Sequence, residues 1–303
     1  MNVIVLDNLR KCYGDLRAVD GVSFEVRRGE IFGMVGPNGA GKTTTIECLE
    51  GLRRPSDGQA MVLNLDPQRQ GYELRERIGV QLQQSSLPDR LKVREALDLF
   101  SAFYGQALEW RPILDELGLT DKAGAPFAKL SGGQKQRLFI ALALVNDPEI
   151  VFLDELTSGL DPQARRAMWD LVKRIRDRGK TVFLTTHYME EAELLCDRVA
   201  IMDHGKIVAL DTPQNLVASL EAENRVVFAA DGPLELDSFR TIPGVSRVEQ
   251  TGGRVIVFGR GDELVVRVVM ALAAAKTRFR DLRTEQPSLE DVFLSLTGKE
   301  MRD

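Results

Sequence analysis

Apolar and polar positions alternate in short runs between residues 3 and 35, and Gly14, Gly21 and Gly29 interrupt the runs. Alternation with a period of two is typical of strands that bury one face. We therefore predict an N-terminal region of antiparallel strands and turns. The largely apolar run Glu30–Val35 at its end is predicted to be a buried strand.

Farther along the chain, apolar strands and helices follow one another. Ile150–Leu153 and Thr181–Thr185 have the length and composition of strands buried on both faces. Between Arg90 and about Thr120, apolar residues recur every three or four positions, which predicts a helical insertion. Helices are also predicted at Lys42–Glu50 and Met168–Arg178. This alternation predicts an α/β fold with a mostly parallel sheet covered by helices.

The pattern changes near residue 221, where the polar joint Glu221–Asn224 precedes a new series of elements. From Arg225 the predicted order is strand, helix, strand, strand, helix, strand and a last helix, with a turn at Gly252–Gly253. This order resembles a split βαβ sandwich of the ferredoxin-like type. We predict a large first domain at 1–220, with a helical subdomain at about 84–145, and a small α+β domain at 225–303.

The composition argues against several classes of protein. With 40 basic and 45 acidic residues the formal net charge is -5, so no nucleic-acid partner is expected. The longest near-apolar stretch, Val265–Ala275, is much shorter than the roughly 20 residues of a membrane-spanning helix. The N-terminus lacks the pattern of a secretion signal, so a cytoplasmic location is expected. Cys12, Cys48 and Cys196 lack paired spacing and are predicted to be reduced packing residues.

The motif GxxxxGK[ST] occurs at residues 36–43, between a predicted strand and a predicted helix, as it requires. Its glycines let backbone N–H groups turn toward one phosphate, and the helix N-terminus adds partial positive charge. Lys42 is then placed to neutralise the β and γ phosphates, Thr43 to ligate Mg²⁺ and Thr44 to lie near the α-phosphate. The predicted nucleotide-binding residues of this loop are Gly36, Pro37, Asn38, Gly39, Ala40, Gly41, Lys42, Thr43 and Thr44. Kinases, GTPases and ATPases share the loop, so the reaction stays open.

Two carboxylates, Asp154 and Glu155, follow the buried run Ile150–Leu153. Sites in open sheets form at the carboxyl ends of the strands. Asp154 is predicted to bind Mg²⁺ directly or through water, and Glu155 to orient or deprotonate the water that attacks the γ-phosphate. An isolated Asp-Glu pair is more often an acidic cap of a helix. The phosphate loop upstream favours the catalytic interpretation.

The pentapeptide Leu130-Ser131-Gly132-Gly133-Gln134 precedes a helical run, Lys135–Val145. Its hydroxyl and N–H groups lie at a helix N-terminus, where they can bind a second phosphate. The sequence here resembles the ATP-binding cassette (ABC) family of ATPases, whose signature motif reads LSGGQ. The resemblance covers about residues 1–220.

The resemblance implies a homodimer in which two ATP molecules are held between head-to-tail subunits. Ser131, Gly132, Gly133 and Gln134 would then act on the nucleotide of the partner. Asp161, which ends the run Ser158–Asp161, is similar to the residue of the loop that crosses this interface.

The family pattern also assigns roles to three residues outside these motifs. Tyr13 matches the aromatic that stacks on adenine. Gln83 matches the glutamine that reaches Mg²⁺ and the attacking water, with Gln84 as the neighbouring alternative. His187 matches the switch histidine that touches the γ-phosphate. One departure is Leu156, where many members have Pro; this changes loop stiffness and leaves hydrolysis intact.

Two segments narrow the function. Ser85–Glu95 resembles the region on which a membrane subunit docks, and Pro287–Gly298 resembles the ending of cassettes from bacterial exporters of the drug-resistance type, whose permease is a separate chain. We therefore expect the ATP-hydrolysing subunit of an exporter, attached through the permease to the inner face of the cell membrane, with ATP and Mg²⁺ as cofactors. The alternative is a soluble ABC ATPase that remodels or regulates a cytosolic complex.

Overall fold

The structure, a computed structural model of the 303-residue chain, describes residues 1–83, 85–220, 223–230, 234–261, 263–275 and 277–298. By its internal contacts the chain divides into two units, Met1–Pro213 and Gln214–Glu300. This division comes a few residues before the polar joint at 221–224, of which residues 221 and 222 lie outside the described part. Each unit has its own hydrophobic core.

The first unit alternates strands and helices along the chain. Its strands are β1 (Asn2–Tyr13), β2 (Leu16–Arg27), β3 (Ile31–Val35), β4 (Asp57–Val62), β5 (Ile78–Gln81), β6 (Ile150–Asp154), β7 (Thr181–Thr186), β8 (Arg198–Asp203) and β9 (Lys206–Asp211). Its helices are α1 (Lys42–Leu49), α2 (Gly71–Arg75), α3 (Val93–Ser101), α4 (Trp110–Glu116), α5 (Gly132–Leu144), α6 (Pro162–Asp177) and α7 (Met189–Leu195). Helix α8 (Pro213–Ser219) begins at the division between the units.

The N-terminal region forms an antiparallel sheet in the order β2-β1-β4. In β2 the apolar side chains of Val22, Phe24 and Val26 are buried, while the residues between them are exposed. This is the period-two pattern seen in the sequence. The predicted antiparallel region is therefore confirmed.

The central sheet has the order β5-β6-β7-β3-β8-β9 and is parallel except for the pair β8 and β9. Strands β3, β6 and β7 are buried at every position, since helices cover both faces of such a sheet. Four aromatic rings, with neighbouring centroids 5.0–6.0 Å apart, pack between this sheet and β2: Phe24, Phe32, Phe152 and Phe183. The predicted α/β fold is confirmed, and the parallel register aligns the carboxyl ends of β3, β6 and β7.

Helices α3 and α4 lie within the predicted insertion from Arg90 to about Thr120, and both pack on α5. Helix α6 begins six residues earlier than the predicted start at Met168. The Asp161 carboxylate accepts a hydrogen bond from the N–H of Ala164 at 2.8 Å, and Pro162 takes the first helical position. Asp at the cap and Pro at the first position together start a helix, and these signals precede the apolar pattern on which the prediction depended.

The second unit contains β10 (Asn224–Ala230), α9 (Leu236–Arg240), β11 (Val245–Thr251), β12 (Arg254–Gly259), α10 (Leu264–Ala274), β13 (Phe279–Glu285) and α11 (Leu289–Thr297). Its antiparallel sheet has the order β11-β12-β10-β13, so β12 lies between the two strands that α9 connects. The buried side chains of α9 and α10 pack on this sheet in a small core. The predicted α+β composition of this region is confirmed.

The composition led to expectations about membrane-spanning helices and about the three cysteines. Within the described residues no helix is both long and apolar enough to cross a bilayer. Cys48 and Cys196 are buried, but Cys12 is exposed. The packing prediction is therefore wrong for Cys12, which lies near the end of β1, where the strand reaches solvent.

Candidate nucleotide site

The glycine-rich loop joins β3 to α1 and contains two positions that only glycine can occupy. Gly36 and Gly41 have positive φ angles of 156° and 107°. A Cβ atom on Gly36 would lie 2.1 Å from the carbonyl oxygen of Met202, and one on Gly41 would lie 2.2 Å from that of Ala18. The loop therefore packs closely against neighbouring backbone. A side chain at either position would clash there and would disfavour the positive φ angle.

Lys42, the first residue of α1, is buried with 3% exposure. Its ammonium donates to the carbonyl oxygens of Gly36 at 2.8 Å and Pro37 at 3.1 Å, and lies 3.7 Å from Oε1 of Glu155. Burial lowers the pKa of Lys42, and the nearby carboxylates Glu155 and Asp154 oppose that shift. The cation thus lies inside the loop, at the helix end where an anion binds best.

Asp154 ends β6, and in the parallel register it lies opposite Thr185 of β7. Its carboxylate accepts hydrogen bonds from the hydroxyls of Thr185 and Thr43. Burial raises the pKa of Asp154, while the Thr185 and Thr43 hydrogen bonds lower it. Asp154 and Thr43, the two residues predicted to bind Mg²⁺ from different motifs, are therefore in direct contact.

Glu155 has a left-handed backbone conformation with φ at 49°, which is uncommon for a residue with a side chain. Its N–H donates to the backbone oxygen and to Oγ1 of Thr185, both at 3.1 Å. These bonds hold the turn in place. Strained conformations of this kind cluster at functional sites, and here the turn directs the carboxylate toward Lys42.

The Glu155 carboxylate is the point at which the predicted catalytic residues meet. Gln83 donates through Nε2 to Glu155 Oε2 at 2.8 Å, and the Ser158 hydroxyl donates to the same oxygen at 3.2 Å. His187 Nδ1 lies 3.5 Å from this oxygen, is buried, and makes no hydrogen bond within the described residues. The contact between Gln83 and Glu155 supports the choice of Gln83 as the glutamine near the attacking water. The alternative, Gln84, lies outside the described residues.

The oxygen atoms near Asp154 suit a magnesium ion in chemical type. Hydroxyl, carboxylate and amide oxygens are the ligands that Mg²⁺ takes, and it keeps several positions for water and phosphate. Thr43, Asp154 and Gln83 supply one group of each type. Within the described residues, no group of three or more His, Cys, Asp or Glu side chains could hold a metal by itself. The chain's own groups thus suit a metal that is completed by phosphate oxygens.

The signature segment lies apart from this cluster. Ser131 caps α5: its hydroxyl accepts from the N–H of Gln134 at 3.3 Å, and the Gln134 side chain accepts from the N–H of Ser131 at 2.9 Å. Ser131 and Gly132 are exposed, and no side chain lies within 4 Å of a Cβ built on Gly132. No hydrogen bond or ion pair in the described parts of the chain joins residues 131–134 to Lys42 or Glu155.

Asp161 and Tyr13 also lie outside the Glu155 cluster. Asp161 is exposed and caps α6, as described above. Tyr13 ends β1 with 39% exposure, and the cationic groups of Lys11 and Arg53 lie 5.2 and 5.5 Å from its ring centroid. An exposed ring flanked by two cations is available for stacking and has positive charge beside it.

Sequence reasoning missed Thr185 and Arg53. Thr185 contacts both Asp154 and Glu155 and fixes the turn between them. A polar residue near the end of an otherwise apolar strand, β7, was the available signal. Arg53 reaches the Tyr13 ring and forms an ion pair with Glu47. Nothing in the local pattern distinguishes it from other surface arginines.

Comparisons with known proteins agree with this geometry. The family profile described as ABC transporter matches residues 19–158. Nod factor export ATP-binding protein I of Paraburkholderia xenovorans (strain LB400) is 40% identical over 307 residues, which cover 99% of this chain and 98% of that protein. The resemblance inferred from the signature motif is confirmed.

Two solved structures are similar in fold. The ATP-binding subunit of an ABC transporter superposes with a TM-score of 0.65 at 27% identity, covering 72% of this chain and 92% of that one. A dimeric ATP-binding cassette in a post-hydrolysis state, bound to ADP and phosphate, gives 0.61 at 28% identity, covering 69% and 98%. The chain belongs to the ABC transporter family, as one of its ATP-binding subunits that hydrolyse ATP.

Proposed function

We propose that this chain is the ATP-hydrolysing subunit of an exporter, in which a homodimer of the chain works on the inner face of the cell membrane through a separate permease. The observation that carries the proposal is the cluster in which Lys42, Gln83, Ser158 and His187 surround the Glu155 carboxylate. Groups from four separated segments meet at one acid, as hydrolysis of a bound phosphate requires.

The phosphate loop and Lys42 bind the nucleotide. Backbone N–H groups of the loop and of the first turn of α1 face the phosphates, and Lys42 exchanges its carbonyl contacts for phosphate oxygens. Thr43, Asp154 and the Gln83 amide oxygen would hold Mg²⁺, which would supply neutralisation of phosphate charge. The bonds from Thr185 keep Asp154 pointed toward Thr43.

Glu155 accepts the proton of the attacking water. Gln83 and Ser158, which donate to Glu155 Oε2, orient the carboxylate and the water beside it. The His187 ring, whose buried Nδ1 lies 3.5 Å from Glu155 Oε2, meets the γ-phosphate through its other nitrogen. General-base assistance of this type contributes about 10²- to 10⁴-fold to a rate.

The dimer follows from the exposed signature. A helix N-terminus with two glycines and a hydroxyl that can still donate is an anion site, and within the described residues no hydrogen bond or ion pair joins residues 131–134 to Lys42 or Glu155. In a head-to-tail dimer, Ser131, Gly132, Gly133 and Gln134 meet the γ-phosphate of the partner, and Asp161 lies at the interface. The dimeric form of a similar cassette supports this arrangement.

The export role and the permease are supported by the names of the relatives, which are called Nod factor export ATP-binding proteins. Residues 85–87, which follow Gln83 closely in the chain, help to line a groove together with Gln81 and Leu82. A membrane subunit docked there is well placed to sense Gln83. The transported substrate is chosen by that subunit.

The proposal is tested by purifying the affinity-tagged chain from detergent-solubilised membranes of its own cells and measuring ATP hydrolysis with and without Mg²⁺. We expect Mg²⁺-dependent hydrolysis and one co-purifying multi-span membrane protein in stoichiometric amount. Hydrolysis by a chain found only in the soluble fraction, with soluble proteins, would contradict the exporter and favour a regulator of a cytosolic complex.

A further inference from the structure

A cavity of about 460 Å³ opens beside β5 in the first unit. Its walls come from β5, α3, α5 and the segment after Gln83, and most of the lining is apolar: Ile78, Val80, Leu82, Leu87, Phe100, Phe139 and Leu142. An apolar cleft of this size on a surface is typical of a binding site. Its lining alone would accept any hydrophobic segment.

One part of the lining is chemically unlike the rest. Glu50, the residue that caps the end of α1, lines the cavity with 1% exposure, and neither of its carboxyl oxygens has a hydrogen-bond partner among the described residues. The Oε1 atom of Gln81, which is 2% exposed and lines the same cavity, also lacks a donor. Buried acceptors are nearly always bonded, because an unbonded one is costly. Three oxygens in one cleft are therefore open to a donor from outside the chain.

The surroundings of Glu50 specify the charge of that donor. Burial, together with the negative charges of Asp154 and Glu47, raises the pKa of Glu50 to about 9. The carboxyl end of a helix carries partial negative charge, which adds to the same effect. Arg75, the one basic residue among the cavity-lining residues that the structure describes, is exposed and makes no bond to Glu50. A cation is the group that would relieve this negative potential.

We propose that the cavity receives an apolar segment of the membrane subunit carrying one basic side chain, whose cationic end binds the Glu50 carboxylate and the Gln81 amide oxygen. This rests on the proposed function, and it adds the residue that selects the partner. An acidic side chain is repelled at this site, and a purely apolar segment leaves three acceptors unpaired. When the basic group enters, Glu50 loses its proton to solvent and forms a charge-assisted pair.

The first test uses the full chain and two synthetic helical peptides of alanine and leucine, one with a single central arginine and the other with norleucine at that position. By isothermal titration calorimetry near pH 7, we expect the arginine peptide to bind about tenfold or more tightly, as a charged hydrogen bond permits. Its enthalpy should vary with the ionisation enthalpy of the buffer, because a proton is released.

Glu50→Gln should make the two peptides bind equally and abolish the proton release. Glu47→Gln, the same change on the same helix, is the matched control and should keep the preference. Glu50→Leu removes the carboxyl with similar volume and should favour norleucine, which covers the case of a poorly folded Gln variant. Equal binding of both peptides to the unchanged chain, binding of neither, or a preference that survives Glu50→Gln would overturn the proposal.

The second test separates this inference from the proposed function. In the preparation from membranes, Glu50→Gln should reduce the co-purifying membrane subunit about tenfold or more, because removing one partner leaves a buried charge unpaired, while Glu47→Gln retains it. Equal recovery with Glu50→Gln would overturn the role of Glu50 alone. If no membrane subunit accompanies the unchanged chain, the proposed function fails and this inference fails with it.

Discussion

The phosphate loop and the signature segment are two helix N-termini with glycines and a hydroxyl, yet they lie in opposite environments. Around the loop, Lys42, Asp154 and Glu155 are buried, Lys42 forms an ion pair with Glu155, and the charge of Asp154 acts on Lys42. At the signature, Ser131 and Gly132 are exposed, and among the described residues the Ser131 hydroxyl bonds to the N–H of Gln134 in a capping box. The first is assembled by one chain; the second presents an anion site to solvent. This difference is the basis for the proposal that a second chain completes the active site.

The largest effect is expected at the buried region. Glu155→Gln replaces the proton acceptor by an amide of the same shape, so hydrolysis should fall by about 10²-fold or more, the usual contribution of a general base, while MgATP binding persists. Single-turnover hydrolysis and equilibrium binding of a fluorescent ATP analogue measure the two quantities.

Glu190→Gln, a change at an exposed glutamate in the first turn of α7, is the control and should hydrolyse ATP normally. Hydrolysis by Glu155→Gln at the rate of the unchanged chain would remove Glu155 from the reaction.

A mixture of two inactive variants tests whether the two regions meet across the dimer. Lys42→Ala spoils the loop, and Gly132→Asp places a carboxylate where the γ-phosphate binds; the Gly132 side has open space, so folding is preserved. Each homodimer lacks an intact site, but a mixed dimer has one. Mixing should restore dimerisation driven by MgATP, measured by light scattering, and about half or less of the hydrolysis, since one of two sites remains.

Gly132→Ala, which adds no charge, should dimerise alone. Absence of recovery in a mixture shown to exchange subunits would mean that the signature acts within its own chain. The loop and the signature would then not meet across a dimer.

Stability distinguishes the two regions as well. Thr185→Val removes a hydroxyl that donates to buried Asp154 and accepts from the N–H of Glu155. Leaving buried polar groups unpaired costs about 1–3 kcal/mol of unfolding free energy, which urea denaturation followed by circular dichroism should detect. Thr185→Ser keeps the hydroxyl and should recover most of the loss. An unchanged midpoint for Thr185→Val would show that these bonds contribute nothing.

The smallest effect is expected at the exposed cap. Ser131→Ala removes the acceptor for the N–H of Gln134 and should cost about 1 kcal/mol or less, since water can replace part of the bond. The same variant should weaken MgATP-driven dimerisation more than it weakens folding. A loss of unfolding free energy as large as that of Thr185→Val would show that the cap belongs to the folded core. The two regions would then not differ in their contribution to stability.

Local pattern was sufficient for much of the fold. The alternation in β2 and the apolar runs of β6 and β7 predicted strands, because burial on one or two faces leaves a period in the sequence. The early start of α6 was missed because Asp161 and Pro162 act through capping, which an apolar pattern does not record. The exposure of Cys12 was missed because composition carries no information on where a strand ends.

The sequence by itself determined the chemistry: the phosphate loop, the Asp154–Glu155 pair and the signature each occupy consecutive residues, and their spacing to strands and helices is local. Only the tertiary structure decided which of them meet. The parallel register brings Thr185 to Asp154, and the strained turn carries Glu155 to Gln83 and His187. The tertiary structure also places Glu50 in a cavity built from distant segments, where none of the described residues donates a hydrogen bond to its carboxyl group. Contacts between residues far apart in the chain depend on packing, and no local period encodes them.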